Sequence, residues 1–475
     1  MKDGKRWLRI LAENVPSVGY KVFEVRDGAG QPFSNEIDVR GGVIENRFYK
    51  LIVDGRGAIT SLVDKMRGNR ELAAEMDGRF INDLGAGAGN MQLENEGPVS
   101  ATLLATSDSP LAHTSRITLF RDVDRVEIEN LITQNFNATS TWGFGFAVEN
   151  PDMQHEEVGA ILRARLTIDG GHYSPRNARY DWLTLNHFVD VSDNGLGITL
   201  SNADCYFMRV GKSAVGELDT TNPQISVLVG GNDLNGGGVL GDQGGDDRFL
   251  QRFALRSHDG YDPVSAMKFS LEHQNPLVAG RVEGGDEYPE RTYSLLSLDN
   301  PNVLLWALKP ADDGLESGFV ARVWNVSNEA GSVSLSLDGG IAEALSLTHI
   351  ETPVGIGAVQ DGRLADLINQ QQIKTYAIFP EDLPYRPDTS DLPVATATPP
   401  VSLPPPTATA DAGTGSPVPV TNTPPPPSFT QTSEPSGQKL SIILWRSMPR
   451  AIPAAGGITA RSDKNFSGSG MFVFP

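Results

Sequence analysis

Apolar residues in this sequence come in short runs, each soon closed by turn-forming residues, and that punctuation is what most limits the fold. Runs of this kind fall at 117–120, 126–131, 142–148, 160–168, 182–189, 196–200, 205–210 and 225–229. The theme continues at 249–255, 266–271, 293–298, 303–308, 319–326, 332–337 and 373–379. Short apolar runs bounded by turn residues read as strands, and no convincing long helical period appears between them. The 50 glycines and 32 prolines supply the breaks. The expectation is an all-β chain, a large antiparallel β-sandwich of stacked sheets, with helix in the minority.

The most explicit local pattern is IENRFYKLIVDGRGAITSLVDKMRGNREL, which starts at Ile44. Tyr49, Leu51 and Val53 alternate with Phe48, Lys50 and Ile52, and Asp54-Gly55-Arg56-Gly57 then supplies residues that tolerate positive φ. A hairpin with a glycine-bearing turn is the reading. Upstream, AENVPSVGYKVFEVRD gives a turn at Val15-Pro16 and an alternating strand over 20–25 with no earlier partner strands, as if a domain were entered near its end.

Four regions follow: the end of a small β-domain over 1–40, the sandwich over 41–382, a linker over 383–438 and a short tail over 439–475. The linker, with PVATATPPVSLPPPTATADAGTGSPVPVTNTPPPPSFT, has almost no bulky apolar residues to offset chain entropy and reads as a disordered Pro/Thr-rich spacer. Such spacers are commonest outside the cytoplasm, which hints at an extracytoplasmic setting and leaves localisation open. The tail has one apolar cluster, 440–445, too short for a bilayer. It reads as a sheet-adding strand, an unfinished module or translation past a damaged gene end, with the last two preferred. At the other end, Arg9 and Glu13 interrupt MKDGKRWLRILAEN, so neither a signal peptide nor a membrane span is expected there.

With 39 Lys+Arg against 59 Asp+Glu, the formal charge of −20 repels phosphate backbones, so nucleic acid is not an expected partner. Cys205 is the single cysteine, which excludes an intrachain disulfide; its apolar surroundings predict a buried, inert thiol.

The seven histidines form no metal-ligand spacing: His155-Glu156-Glu157 lacks a second histidine, and His187 and Asp190 lie on opposite faces of a strand. Adjacent acids at Asp246-Asp247, Asp312-Asp313, Glu156-Glu157 and Asp286-Glu287 read as solvated loop residues rather than as the two carboxylates a glycosidase needs. The glycine-rich 230–245 stretch lacks the Lys-Ser/Thr of a phosphate loop. A sugar-binding surface needs rings to stack on and planar polar groups beside them. Tyr180, Asp181 and Trp182, with Arg179 before them and His172 and Tyr173 upstream, fit that description; core packing of Trp182 is the competing account.

Several separated segments, in order, resemble family 38 glycoside hydrolases, the α-mannosidases. VPSVGYKVFEV resembles the end of the family's small β-domain, and the hairpin with its closing NREL resembles the first strands of the C-terminal sandwich. ARYDWLTLNHFVDVSDNGLGITLSNADCYFMRVG, DRFLQRFALRSHDGYD with the HQNPLV after it, and NVLLWALKPADDGLESGFVARVWN continue the likeness to about residue 380. The resemblance implies a galactose-mutarotase-like super-sandwich. It also implies that the family's zinc, held by His and Asp side chains, and its Asp nucleophile belong to an N-terminal barrel absent from this chain. No catalytic or metal residue is therefore assigned here, and no cofactor is expected within this chain. The implied partners are carbohydrate, namely mannosides, and a separate N-terminal catalytic half. The alternative is a free-standing carbohydrate-binding or envelope-tethered β-module.

Overall fold

The computed structural model describes residues 10–25, 34–231, 241–282 and 290–393, and the backbone strand Leu440–Trp445. The hairpin forms as its alternation requires. Strands Tyr49–Val53 and Ile59–Asp64 pair antiparallel, with Tyr49, Leu51 and Val53 buried and Lys50 and Ile52 exposed. Asp54 closes the turn by accepting from the backbone N–H groups of Arg56 and Ala58 at 3.0 Å each. Gly57 sits at φ +92°, where a Cβ would lie 2.5 Å from the Ser115 Cβ. Replacing Gly57 with alanine adds backbone strain to a clash, and thermal or urea unfolding should show a loss of about 1–3 kcal/mol. An unchanged midpoint would contradict that account.

This hairpin belongs to a five-stranded sheet running from Asp38–Arg40 to Arg70–Glu71. Sequence reading placed residues up to 40 in a preceding unit, yet Asp38–Arg40 pairs with Val43–Glu45. A nine-stranded antiparallel sheet backs it, in the order Ala160–Arg163, Asp152–Glu157, Phe188–Ser192, Gly197–Asn202, Phe249–His258, Val126–Ile132, His113–Phe120, Ser100–Ser107, Gly89–Glu96. A four-stranded sheet of Ser140–Gly145, Gln224–Gly230, Phe207–Val210 and Leu183–Thr184 completes the layers. All three sheets share one core, which includes Leu51, Leu103, Trp142, Phe144 and Phe253. The large antiparallel sandwich is present.

Residues 296–378 enclose a second core, built from a four-stranded and a five-stranded sheet around Val323, Leu335, Leu364 and Tyr376. A third cluster joins the two. In it Phe188, from the outer face of the nine-stranded sheet, meets Val264 and Met267 of the helix Pro263–Gln274 and Leu304 and Trp324 of the second sandwich.

That helix corrects the strand expected at 266–271. Met267, Phe269 and Leu271 alternate with Lys268 and Ser270, so five residues mimic a period of two. Asp262 decides otherwise: its carboxylate accepts from the N–H groups of Val264 and Ser265, and Pro263 occupies the first helical turn. The 182–189 run also divides, with Leu183–Thr184 in the four-stranded sheet and Phe188–Ser192 in the nine-stranded one.

A separate small sheet explains the apparent lack of partners for the first strand. Gly19–Val25 pairs with Thr292–Ser294 on one side and with Leu440–Trp445 on the other, and Val278–Val282 follows beyond. The tail cluster is thus a sheet-adding strand, the alternative that sequence reading ranked below an unfinished module or a damaged gene end. The disordered linker expected over 383–438 falls, from residue 394 on, outside the described residues.

Candidate functional site

The hairpin's first buried side chain reaches across the sandwich. The Tyr49 hydroxyl donates to Asp124 Oδ1 at 2.5 Å and accepts from the Ser257 N–H at 3.1 Å. Ser257 Oγ in turn donates to Asp64 Oδ2 at 2.6 Å, and Arg67 Nη1 reaches the same carboxylate at 2.9 Å. Burial and the neighbouring Asp124 push the Tyr49 phenol far above its ordinary value, so it stays a neutral donor. Burial also raises Asp124, against the lowering effect of that hydrogen bond. Tyr49→Phe leaves a buried N–H and a carboxylate short of a partner, and denaturant melts should register a loss of about 1–3 kcal/mol.

Asp124 helps line a cleft of about 530 Å³. Its walls are residues 11–15, the 122–125 loop, Arg256 of the nine-stranded sheet, the Phe269, Glu272 and Asn275 side of the helix, and Leu277. Arg256 stacks its guanidinium 4.6 Å from the Phe269 ring centre, and its Nη2 donates to the backbone oxygen and the hydroxyl of Ser265 at 2.8 Å each. Burial lowers its pKa from the ordinary arginine value. The cleft thus combines planar carboxylate, guanidinium and amide groups, the set that can hydrogen-bond neighbouring hydroxyls of a neutral polyol. Glu13, Asp122 and Glu272 on its walls disfavour an anion.

Two histidine–carboxylate pairs lie elsewhere. Asp190 is fully buried; its Oδ2 accepts from Thr199 Oγ1 at 2.6 Å and lies 2.7 Å from His258 Nε2. Gly197 makes room for that imidazole, since a Cβ there would stand 2.1 Å from His258 Cε1. Glu156 lies 2.6 Å from His187 Nδ1 and accepts from the Gly159 N–H at 2.7 Å. Glu156 was expected to be a solvated loop acid; it is instead a fully buried residue of the strand Asp152–Glu157. His187 and Asp190, expected on opposite faces, do take separate partners. Neither buried carboxylate lines the cleft, so neither can be presented to a sugar bond there.

Tyr180, Asp181 and Trp182 are also outside the cleft lining. The Tyr180 hydroxyl donates to Ser174 O at 2.5 Å, and Asp181 takes a two-toothed bond from Arg179 at 3.1 and 2.6 Å, which holds its carboxyl below the usual range. The Arg209 guanidinium stands 4.5 Å from the Trp182 ring centre. Cys205 is buried, and burial pushes its thiol well up, as for an inert cysteine. Asp312 is exposed in its turn, whereas Asp286-Glu287 and most of the glycine-rich stretch lie outside the described residues. Sequence reading missed Tyr49, Asp124 and Arg256 as a group. Tyr49 was already marked as an inward strand residue, but its partners stand 75 and 208 positions away.

Among the described residues, no three His, Cys, Asp or Glu side chains are placed to hold a metal ion. No helix among them is long and apolar enough to cross a membrane.

The fold and cleft define a layered antiparallel β-sandwich protein with a polar groove at the margin of its main sheet. Comparison with solved structures gives that fold its counterpart. An α-mannosidase from Enterococcus faecalis superposes over 74% of this chain and 44% of its own at 12% identity, with a TM-score of 0.57. A glycosyl hydrolase family 38 protein from the same organism does so over 74% and 46%, again at 12% identity, with a TM-score of 0.56. The chain therefore shares the fold of a family 38 α-mannosidase region while spanning less than half the length of the proteins it matches. No family model and no curated protein matches the sequence.

Proposed function

We propose that this chain is the carbohydrate-binding and structural sandwich portion of an α-mannosidase-like glycoside hydrolase, working in mannose-glycan metabolism beside a separate catalytic half. The superposition on two family 38 chains over 74% of this chain carries the reading. The cleft at Asp124 and Arg256 is the favoured place for a mannoside, because its planar polar groups suit vicinal hydroxyls.

Mixing the chain with a separately produced mannosidase catalytic half should restore cleavage of an aryl α-mannoside. No rescue with both parts folded would sink the split-enzyme reading. The second reading, a free or tethered binding module, is supported by the Pro/Thr tract and predicts mannoside binding without rescue. In calorimetric titration with a mannobiose, Arg256→Gln should abolish heat while Trp182→Ala leaves it; the reverse pattern would move the sugar site to Tyr180, Asp181 and Trp182.

A further inference from the structure

We infer that the gap between Gly19–Val25 and Val278–Val282 is a strand-binding slot, and that Leu440–Trp445 occupies it as a tethered, detachable ligand of the same chain. The register carries this. Six residues of the tail strand pair antiparallel with Tyr20 to Val25, and five pair with Val278 to Val282 on its other edge. Val278–Val282 has no other hydrogen-bonded neighbour among the described strands, so the tail alone links it to the sheet.

The two edges belong to segments distant in sequence, and the occupant arrives from beyond residues 394–439, which are rich in proline and threonine. The occupant, LSIILW, is an apolar β-former flanked by Lys439 and Arg446, a composition suited to adding a strand through main-chain bonds. Both slot edges also lead straight out of the cleft: residues 11–15 precede the first strand, and Leu277 precedes the second. The docked strand therefore ties two cleft walls together, whatever ligand the cleft takes.

The test uses the full chain with Ile442→Pro and Ile443→Pro, which removes ladder donors toward both edges. Hydrogen exchange at Tyr20 to Val25 and at Val278 to Val282 should quicken by about tenfold or more, with the sandwich amides unchanged. A fluorescent peptide KLSIILWR should then bind the proline variant saturably and restore protection; a scrambled peptide should not. The Ile442→Val, Ile443→Val chain should keep its protection. Unchanged exchange in the proline variant would overturn the inference. So would a folded variant that takes up no peptide, or global unfolding, which would make the strand integral rather than detachable.

Discussion

Trp324→Ala lowers the unfolding free energy by about 3–5 kcal/mol, the usual range for emptying a large buried aromatic site. Trp324 is completely buried at the end of the strand Gly314–Asn325, packed in one cluster with Phe188 of the main sheet and with Val264 and Met267 of the helix. Its ring meets Trp306 edge-on, with centres 5.1 Å apart at 84°. No single neighbour can move in to fill the space, since the groups around it come from three elements with their own packing. Because this cluster joins two otherwise separate cores, the variant should also split one denaturant transition into two. Trp324→Phe should cost less and keep one transition. A melt of the alanine variant that stays single and shifts by under 1 kcal/mol would show that the two sandwiches are not coupled through this residue.

The second large effect is one of acidity. His155 is buried in the strand Asp152–Glu157, with Nε2 2.8 Å from the Tyr173 hydroxyl, and burial lowers its pKa from 6.5 to about 4. Burial also pushes His273 below its ordinary value. A depressed histidine folds neutral, so the unfolded chain binds a proton that the folded chain refuses between those pH values. The stability is present in full above pH 6.5 and is lost as pH falls toward 4. For His155 a pKa near 4 corresponds to about 3 kcal/mol of stability lost on acidification. In urea melts from pH 7 to pH 4, His155→Gln should flatten the fall by about that amount relative to the parent. Parallel curves would mean that this imidazole takes up its proton as readily in the folded chain as in the unfolded one.

Much of the architecture was legible because strand signals are local. The hairpin at 49–64 and the runs at 117–120, 126–131 and 249–255 each carry their own alternation and turn residues, and each is a strand in the structure. The 266–271 segment failed for a local reason too: its short alternation mimics a strand, while the Asp262-Pro263 pair just before it caps and starts a helix. Glu156 failed for a different reason. An adjacent acid pair looks solvated unless its strand is known to be covered, and His187, thirty-one positions on, supplies the partner that makes burial tolerable.

From the residues alone came the all-β class, the order of most strands, the inert cysteine, the absence of metal-ligand spacing and the likeness to a mannosidase sandwich. Those properties depend on period, turn chemistry and composition, which act over a few residues. Tertiary structure alone decided that the strands form two cores joined at Trp324, that the tail closes the sheet begun by the first strand, and that Asp124, held from the core by Tyr49, lines one cleft with Arg256. Each of those depends on pairings between segments scores to hundreds of residues apart. Loop closure over such distances leaves no periodic trace, so only the packed chain shows which side chains become neighbours.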